Sequence, residues 1–135
     1  MENTKKDIDI KQLYLLLRGS LGSIKKRCVD EEIKQVADMK QLAVDISISD
    51  DAGFRYNNLI KLEEKLDEFY AQETEKLAKI KSQFSNIDTG DERILTKFEY
   101  SRLLRLTYTL PRIKKIIKQI FGKEDNVEVN VLKID

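Results

Sequence analysis

Residues 92–121 read ERILTKFEYSRLLRLTYTLPRIKKIIKQIF, and how this stretch divides decides how many helices the chain has. Ile94, Leu95 and Phe98 open an apolar stripe at helical spacing, and Thr89 stands three residues before Glu92, the spacing of a capping box. Thr107, Tyr108 and Thr109 lead into Pro111, the only proline. A proline suits the first turn of a new helix and not the interior of an old one. The pattern therefore predicts one helix over about 91–106 and a last helix over 111–121, ended by Gly122 as its C-terminal cap residue. Leu95, Phe98, Leu103, Leu106, Ile113, Ile116, Ile117 and Ile120 form the face expected in the core.

The same stretch is the most lopsided in charge. Between Arg93 and Lys123 there are nine cations and one anion, Glu99, a balance of +8 in a chain whose formal total is +1. The rest of the chain is net −7, and most charge runs are solvated helix faces. A segregation this strong exceeds what solubility needs and points to an acidic partner surface.

Upstream, Leu59, Leu62, Leu66, Phe69, Tyr70, Leu77, Ile80 and Phe84 mark a long amphipathic helix over about 55–85. Lys61 with Lys65 and Glu64 with Glu68 are like-charged at i,i+4, so packing rather than surface ion pairs must hold it. The loop SNIDTGD, 85–91, turns this helix back against 91–106 as a central hairpin. SDDAG at 49–53 is turn chemistry. Before it, Asp30 with Glu31 and Glu32 reads as a helix start, with acids in the positive first turn. Ile33, Val36, Ala37, Met39 and Ala43 supply a weak apolar face to the helix that follows.

Val44, Ile46 and Ile48 then alternate with polar residues, and so do Val127, Val129 and Val131, which predicts strands at 43–48 and 127–132. A lone strand leaves its backbone unpaired, so the two are expected to form a two-stranded ribbon, or 127–132 to pair with a second molecule. At the other end of the chain, Ile10, Leu13, Tyr14, Leu17, Leu21, Ile24 and Cys28 give the cleanest helical stripe. Gly19 and Gly22 interrupt it, predicting a bend, a break or a closely packed neighbour. The expected fold is all-α or nearly so: one domain over 1–135, a bundle of four to five helices, with a small ribbon beside it.

Composition narrows the function classes. At 135 residues, with 41% hydrophobic and 36% charged residues, 5 Gly and 1 Pro, the chain fits a helix-rich domain that buries roughly two-thirds of its unfolded surface. The longest apolar run is Leu13–Leu17, far short of a membrane span, and MENTKKDIDIK lacks the apolar core of a signal peptide. A cytoplasmic setting is expected. The single cysteine, Cys28, forms no internal disulfide and closes an apolar stripe, where a buried small hydrophobe is expected rather than a nucleophile. No histidine is present, which removes the commonest general base, the commonest metal ligand and every Ser/His or Cys/His pair.

Two motif readings are set aside. GSLGSIKK suggests a phosphate loop, but Gly22 is followed by Ser23 and Ile24 instead of Lys and Ser or Thr. Glu63, Glu64, Asp67 and Glu68 could in principle hold a hard cation, yet a solvated face is the better reading, so neither metal nor cofactor is expected.

With Leu103 at the small-residue position of a helix-turn-helix, Leu106, Tyr108, Ile113 and Ile116 fall at its core positions. The helix after Pro111 then presents Arg112, Lys114, Lys115 and Lys118. That register, with Glu92–Leu95 and a Tyr ahead of it, resembles the DNA-binding end of sigma-factor-like phage regulators, which implies DNA binding. Thr107 stands where the turn Gly is usual and Leu103 where an Ala is. Tyr108, Arg112, Ile113, Lys115 and Ile116 also resemble a run in the helical domain of GINS replication subunits, without the helix that follows there. Two unrelated likenesses over the same stretch assign the chain to neither family.

The sequence thus reads as a non-enzymatic interaction protein. It is expected to dock the basic helix 111–121 on an acidic protein surface through Arg102, Arg105, Arg112, Lys114, Lys115 and Lys118, as part of an assembly. The alternative is a nucleic-acid-binding protein with a degenerate helix-turn-helix at about 100–120. Homodimerisation through 55–85 or 127–132 is a further expectation.

Overall fold

A capping box starts the first helix: the Asp9 carboxylate accepts from the Lys11 amide at 3.4 Å, and Gln12 Oε1 accepts from the Asp9 amide at 3.2 Å. In this computed structural model, which describes residues 9–84 and 90–134 with the side chains of 91–92 and 125–134 excepted, four helices follow one another. They are α1 (Ile10–Lys25), α2 (Glu31–Ile48), α3 (Ala52–Phe84) and α4 (Gly90–Ile134). Asp30 turns the chain into α2 with φ 54°, the left-handed side of backbone space, and makes no side-chain cap. Glu32 instead reaches back across the helix start and accepts from the Val29 amide at 3.1 Å. Asp51 starts α3, its Oδ1 accepting from Gly53 and Phe54 amides at 2.9 and 3.3 Å.

The core follows a three-four spacing. On α3 the buried positions are Leu59, Leu62, Leu66, Phe69 and Glu73, and on α2 Glu32, Val36, Met39, Ala43 and Ile46. On α4 they are Leu103, Leu106, Leu110, Ile113, Ile117, Ile120 and Glu124. This is the seam of helices packed side by side at shallow angles. Each helix packs on two others, in the cyclic order α1, α2, α3, α4 and back to α1. Tyr14 near the start of α1 meets Glu124 far along α4, and Lys76 late in α3 meets Glu32 early in α2. The bundle is therefore up-down-up-down, with α2 and α4 on diagonal corners. No helix among the described residues is long and apolar enough to cross a membrane.

The helical bundle and the 55–85 helix agree with the sequence reading, and several finer expectations do not. The two-stranded ribbon is absent among the described residues: 43–48 lies in α2 and the backbone of 127–132 in α4. In 43–48 the alternation is a helix with apolar residues on both sides. Ala43 and Ile46 face the core, while Val44 and Ile48, one turn apart, face outward. Strand pairing of 127–132 with a second molecule falls with the strand.

The break at 107–111 is also absent, since α4 runs through Pro111 and Gly122. An interior proline costs about 3 kcal/mol, but burying each of Leu106, Leu110, Ile113 and Ile117 contributes about 1.5–3 kcal/mol, and only an unbroken helix keeps all four on one line. Leu95 and Phe98, expected in the core, are 70% and 72% exposed. Gly19 and Gly22 do not break α1, which runs unbroken from Ile10 to Lys25. A Cβ at Gly22 would meet only the end of the Lys40 side chain at 3.3 Å. The expected loop at 85–91 and the Thr89–Glu92 capping box fall on 85–89 and a Glu92 side chain outside the described residues, and Gly90 and Asp91 already belong to α4.

Candidate interaction surface

The six cations singled out in the sequence are sorted by their place on α4. Arg102 lies beside the core and is drawn inward. Its guanidinium donates to Glu32 Oε1 at 2.6 Å, to the Arg27 carbonyl at 3.0 Å and to both oxygens of Glu99. Hydrogen bonding to Glu99, then to Glu32, raises its pKa against the opposing effect of burial. Lys114 and Lys118 flank the seam and turn to α3, pairing with Asp67 at 2.8 Å and Glu63 at 3.2 Å. The carboxylates Glu63 and Asp67, read from sequence as a solvated face, thus meet the basic helix. Hydrogen bonding to Asp67 raises the Lys114 pKa.

Arg105, Arg112 and Lys115 remain on the outward face, exposed and without an ion pair among the described residues. Arg112 is braced by Tyr108: its guanidinium lies 4.6 Å from the ring centroid, and Nη2 donates to the phenol oxygen at 3.0 Å. Leu104 and Tyr108 are exposed between the cations, and Ile94, Lys97 and Phe98 continue the face toward the start of the helix, where a shallow groove opens between Ile94, Phe98 and Tyr100. Among described side chains, α4 carries two anions. Glu99 is bound to Arg102 and Glu124 is buried. The outward face from Ile94 to Lys115 is therefore a mixture of apolar residues and cations, with Ser101 among them and no free anion among the described side chains, over about 30 Å of helix.

Residues 100–120 form one continuous run of α4 with no turn, so the helix-turn-helix register is not realised and no separate recognition helix exists there. The basic face begins well before 111, at Ile94, and extends to Lys115 within 111–121.

Two buried charge clusters went unnoticed in the sequence. At one end of the bundle, Glu124 accepts from Tyr14 Oη at 2.8 Å and from Arg55 Nε and Nη2 at 2.8 and 3.2 Å, while Arg55 Nη1 donates to the Ser49 carbonyl at 2.9 Å. Burial, then the Glu124 hydrogen bond, holds Tyr14 well above the usual phenol range. At the other end, Glu32, Glu73 and Glu99 meet Lys76 and Arg102 beside an open crevice of about 570 Å³. Burial pushes the Glu73 carboxyl up to about 7. Burial would raise Glu32 as well, but hydrogen bonds with Glu73, Arg102, Lys76 and the Val29 amide outweigh it and hold Glu32 at about 2. Burial and nearby Glu32 raise the Cys28 thiol to about 11, and its S–H donates to the Ile24 carbonyl at 3.3 Å. At neutral pH it is a poor nucleophile. The signal was present in the spacing: Glu32 and Glu124 take the core position at one end of an apolar stripe, and Glu73 takes the core position between Phe69 and Leu77.

These features define an antiparallel four-helix bundle, closed at both ends by ion clusters and marked by a basic face on α4 that carries unpaired cations among the described residues. Comparison with protein-family models, with curated proteins and with solved structures found no match.

Proposed function

We propose that this protein is a non-enzymatic helical interaction module that docks the outward face of α4 on an acidic protein surface as part of an assembly. The observation that carries this reading is the uniform sign of that face. Arg105, Arg112 and Lys115 have no intramolecular counterion among the described residues, whereas the other cations singled out on α4, Arg102, Lys114 and Lys118, do. Exposed Leu104, Tyr108 and Phe98 lie between and beside these cations. That mixture suits an amphipathic protein partner better than a phosphate backbone, because apolar anchors supply affinity in a protein interface and do little along phosphates. The titratable groups of the interior are engaged in holding the bundle ends together, which supports a reading without catalysis.

The test is fluorescence anisotropy with a synthetic amphipathic peptide bearing Leu and Glu on one face, beside short duplex DNA, at low and high salt. The expected result is peptide binding that Arg105→Ala, Arg112→Ala and Lys115→Ala together weaken at least about tenfold, with helicity and thermal midpoint unchanged. Equal binding by the triple variant would sink the reading. So would preferential binding of the duplex with a steep log-linear loss in salt, the mark of phosphate contacts.

A further inference from the structure

The outward face of α2 is the counterpart of the α4 face in both chemistry and period. Ile33 is 42% exposed and Ile48 71% exposed, and the half-buried Ala37 and Val44 lie between them. Steps of four, seven and four keep these residues on one side of the helix. Beside that apolar line Glu31, Asp38 and Asp45 recur every seventh residue. Glu31 and Asp38 are exposed, and Asp45 accepts from Gln41 Nε2 at 2.9 Å. Lys34 lies among the acids, and Lys40, whose side-chain end lies by Gly22 of α1, flanks the apolar line on its other side. On α4, Phe98, Arg105 and Arg112 also recur at seven, with Leu104 and Tyr108 beside them. From Ile33 to Ile48 is about 22 Å along α2, and from Phe98 to Arg112 about 21 Å along α4.

We propose that the acidic partner of α4 is α2 of a second copy of this chain, joined head-to-tail. This rests on the reading of α4 as a docking face. Rows that repeat every seven residues stay in register along two helices crossing at a shallow angle, so Asp38 and Asp45 of one row can lie near Arg105 and Arg112 of the other while the apolar lines meet.

The geometry of the bundle sets the symmetry. Because α2 and α4 stand on diagonal corners with α1 and α3 between them, their outward faces point in opposite directions. A single two-fold contact cannot use both faces of each copy. The contact is heterologous: every docked pair leaves one α2 and one α4 free, and addition continues into a chain or closes into a ring. One helix laid on one helix over the 18 residues of α2 belongs with interfaces smaller than about 1,200 Å², which associate weakly. Assembly therefore responds to concentration, and its electrostatic part is screened as the Debye length falls from about 10 Å at 0.1 M salt to 3 Å at 1 M.

A charge-swap experiment on the full chain tests this, read by analytical ultracentrifugation from micromolar to millimolar concentration. The two variants are Arg105→Glu with Arg112→Glu, and Asp38→Lys with Asp45→Lys. All of these positions lie outside the core, and circular dichroism and the thermal midpoint check that both variants keep the fold. The expected result is a wild-type mass that climbs continuously beyond two copies. Each variant alone stays at the monomer mass, and an equimolar mixture regains growth, because every α2–α4 contact between the two different variants is then between opposite signs. A wild-type chain that stays monomeric overturns the proposal, as does growth that stops at two copies or that persists in the Asp38, Asp45 variant alone. If the wild type is monomeric yet still binds the Leu/Glu peptide, only the identity of the partner falls. If peptide binding is lost as well, the docking-face reading falls with it.

Discussion

Glu73 has no solvent exposure, and its Oε1 has no hydrogen-bond donor among the described residues. The charge count around it explains why. Three carboxylates, Glu32, Glu73 and Glu99, face two cations, Lys76 and Arg102, so the cluster is neutral when one acid keeps its proton, and the deepest acid keeps it at least cost. A proton on Glu73 also supplies the missing bond, toward Glu32. Stability depends on pH in opposite senses for the two acids. Glu32 is held at about 2 against an ordinary 4.5, so its contribution is present above 4.5 and lost as pH falls toward 2. Glu73 is raised to about 7, so its contribution is full below 4.5 and lost as pH climbs from there through 7. Glu73→Gln keeps a neutral donor at this position. Urea unfolding at pH values of about 4.5, 6 and 8 is expected to show wild-type stability falling relative to the Gln variant, with the gap levelling off once Glu73 is ionised. Parallel profiles would show that Glu73 is ionised throughout.

At the scale of the element, α4 is decided by phase continuity. Pro111 lacks the amide that would bond the Thr107 carbonyl, and nearby the Thr107 and Thr109 hydroxyls donate to the carbonyls of Leu104 and Arg105 at 3.1 and 2.8 Å. Pro111 is exposed, so it can be replaced without touching the core. Pro111→Ala restores the amide and is expected to stabilise the protein by about 1–3 kcal/mol, less what the more flexible unfolded chain gives back. Thermal unfolding checks this, and no gain or a loss would mean that the helix is already adapted to the proline. The sequence showed both the proline and the stripe of Leu103, Leu106, Leu110, Ile113, Ile117 and Ile120, but local propensity and periodicity disagreed at 107–111. The disagreement was settled by α1 and α3, against which the stripe packs. In α2 a local rule misled for a related reason: Val44 and Ile48 alternate with Ile46 because both sides of the helix carry apolar residues, and burial of Ala43 and Ile46 selects the helix.

At the scale of the whole molecule, α3 and α4 outrun their neighbours. Past the cluster of Glu73, Lys76 and Arg102, where α1 ends and α2 begins, the hairpin continues as two helices. Leu77, Ile80 and Phe84 are only half-buried there, and Phe84 meets Tyr100 edge-on with ring centroids 5.8 Å apart. Amide hydrogen exchange is expected to be faster over 77–84 and 93–101 than over 59–73 and 103–120, because two helices bury less than four. Uniform protection would point to an additional partner for the hairpin. It is on this projecting part that Phe98 and Leu95, read as core residues from their spacing alone, stand in water. By itself the sequence determined that the chain is helical, where its apolar stripes run and that 93–123 carries the excess positive charge, because each of these follows from local spacing and composition. The tertiary structure alone decided that Pro111 lies within one helix, that Lys114 and Lys118 are neutralised by α3, and that Arg105, Arg112 and Lys115 are not. Which side of a helix meets a neighbour, and how far that neighbour extends, depends on contacts between residues distant in the chain.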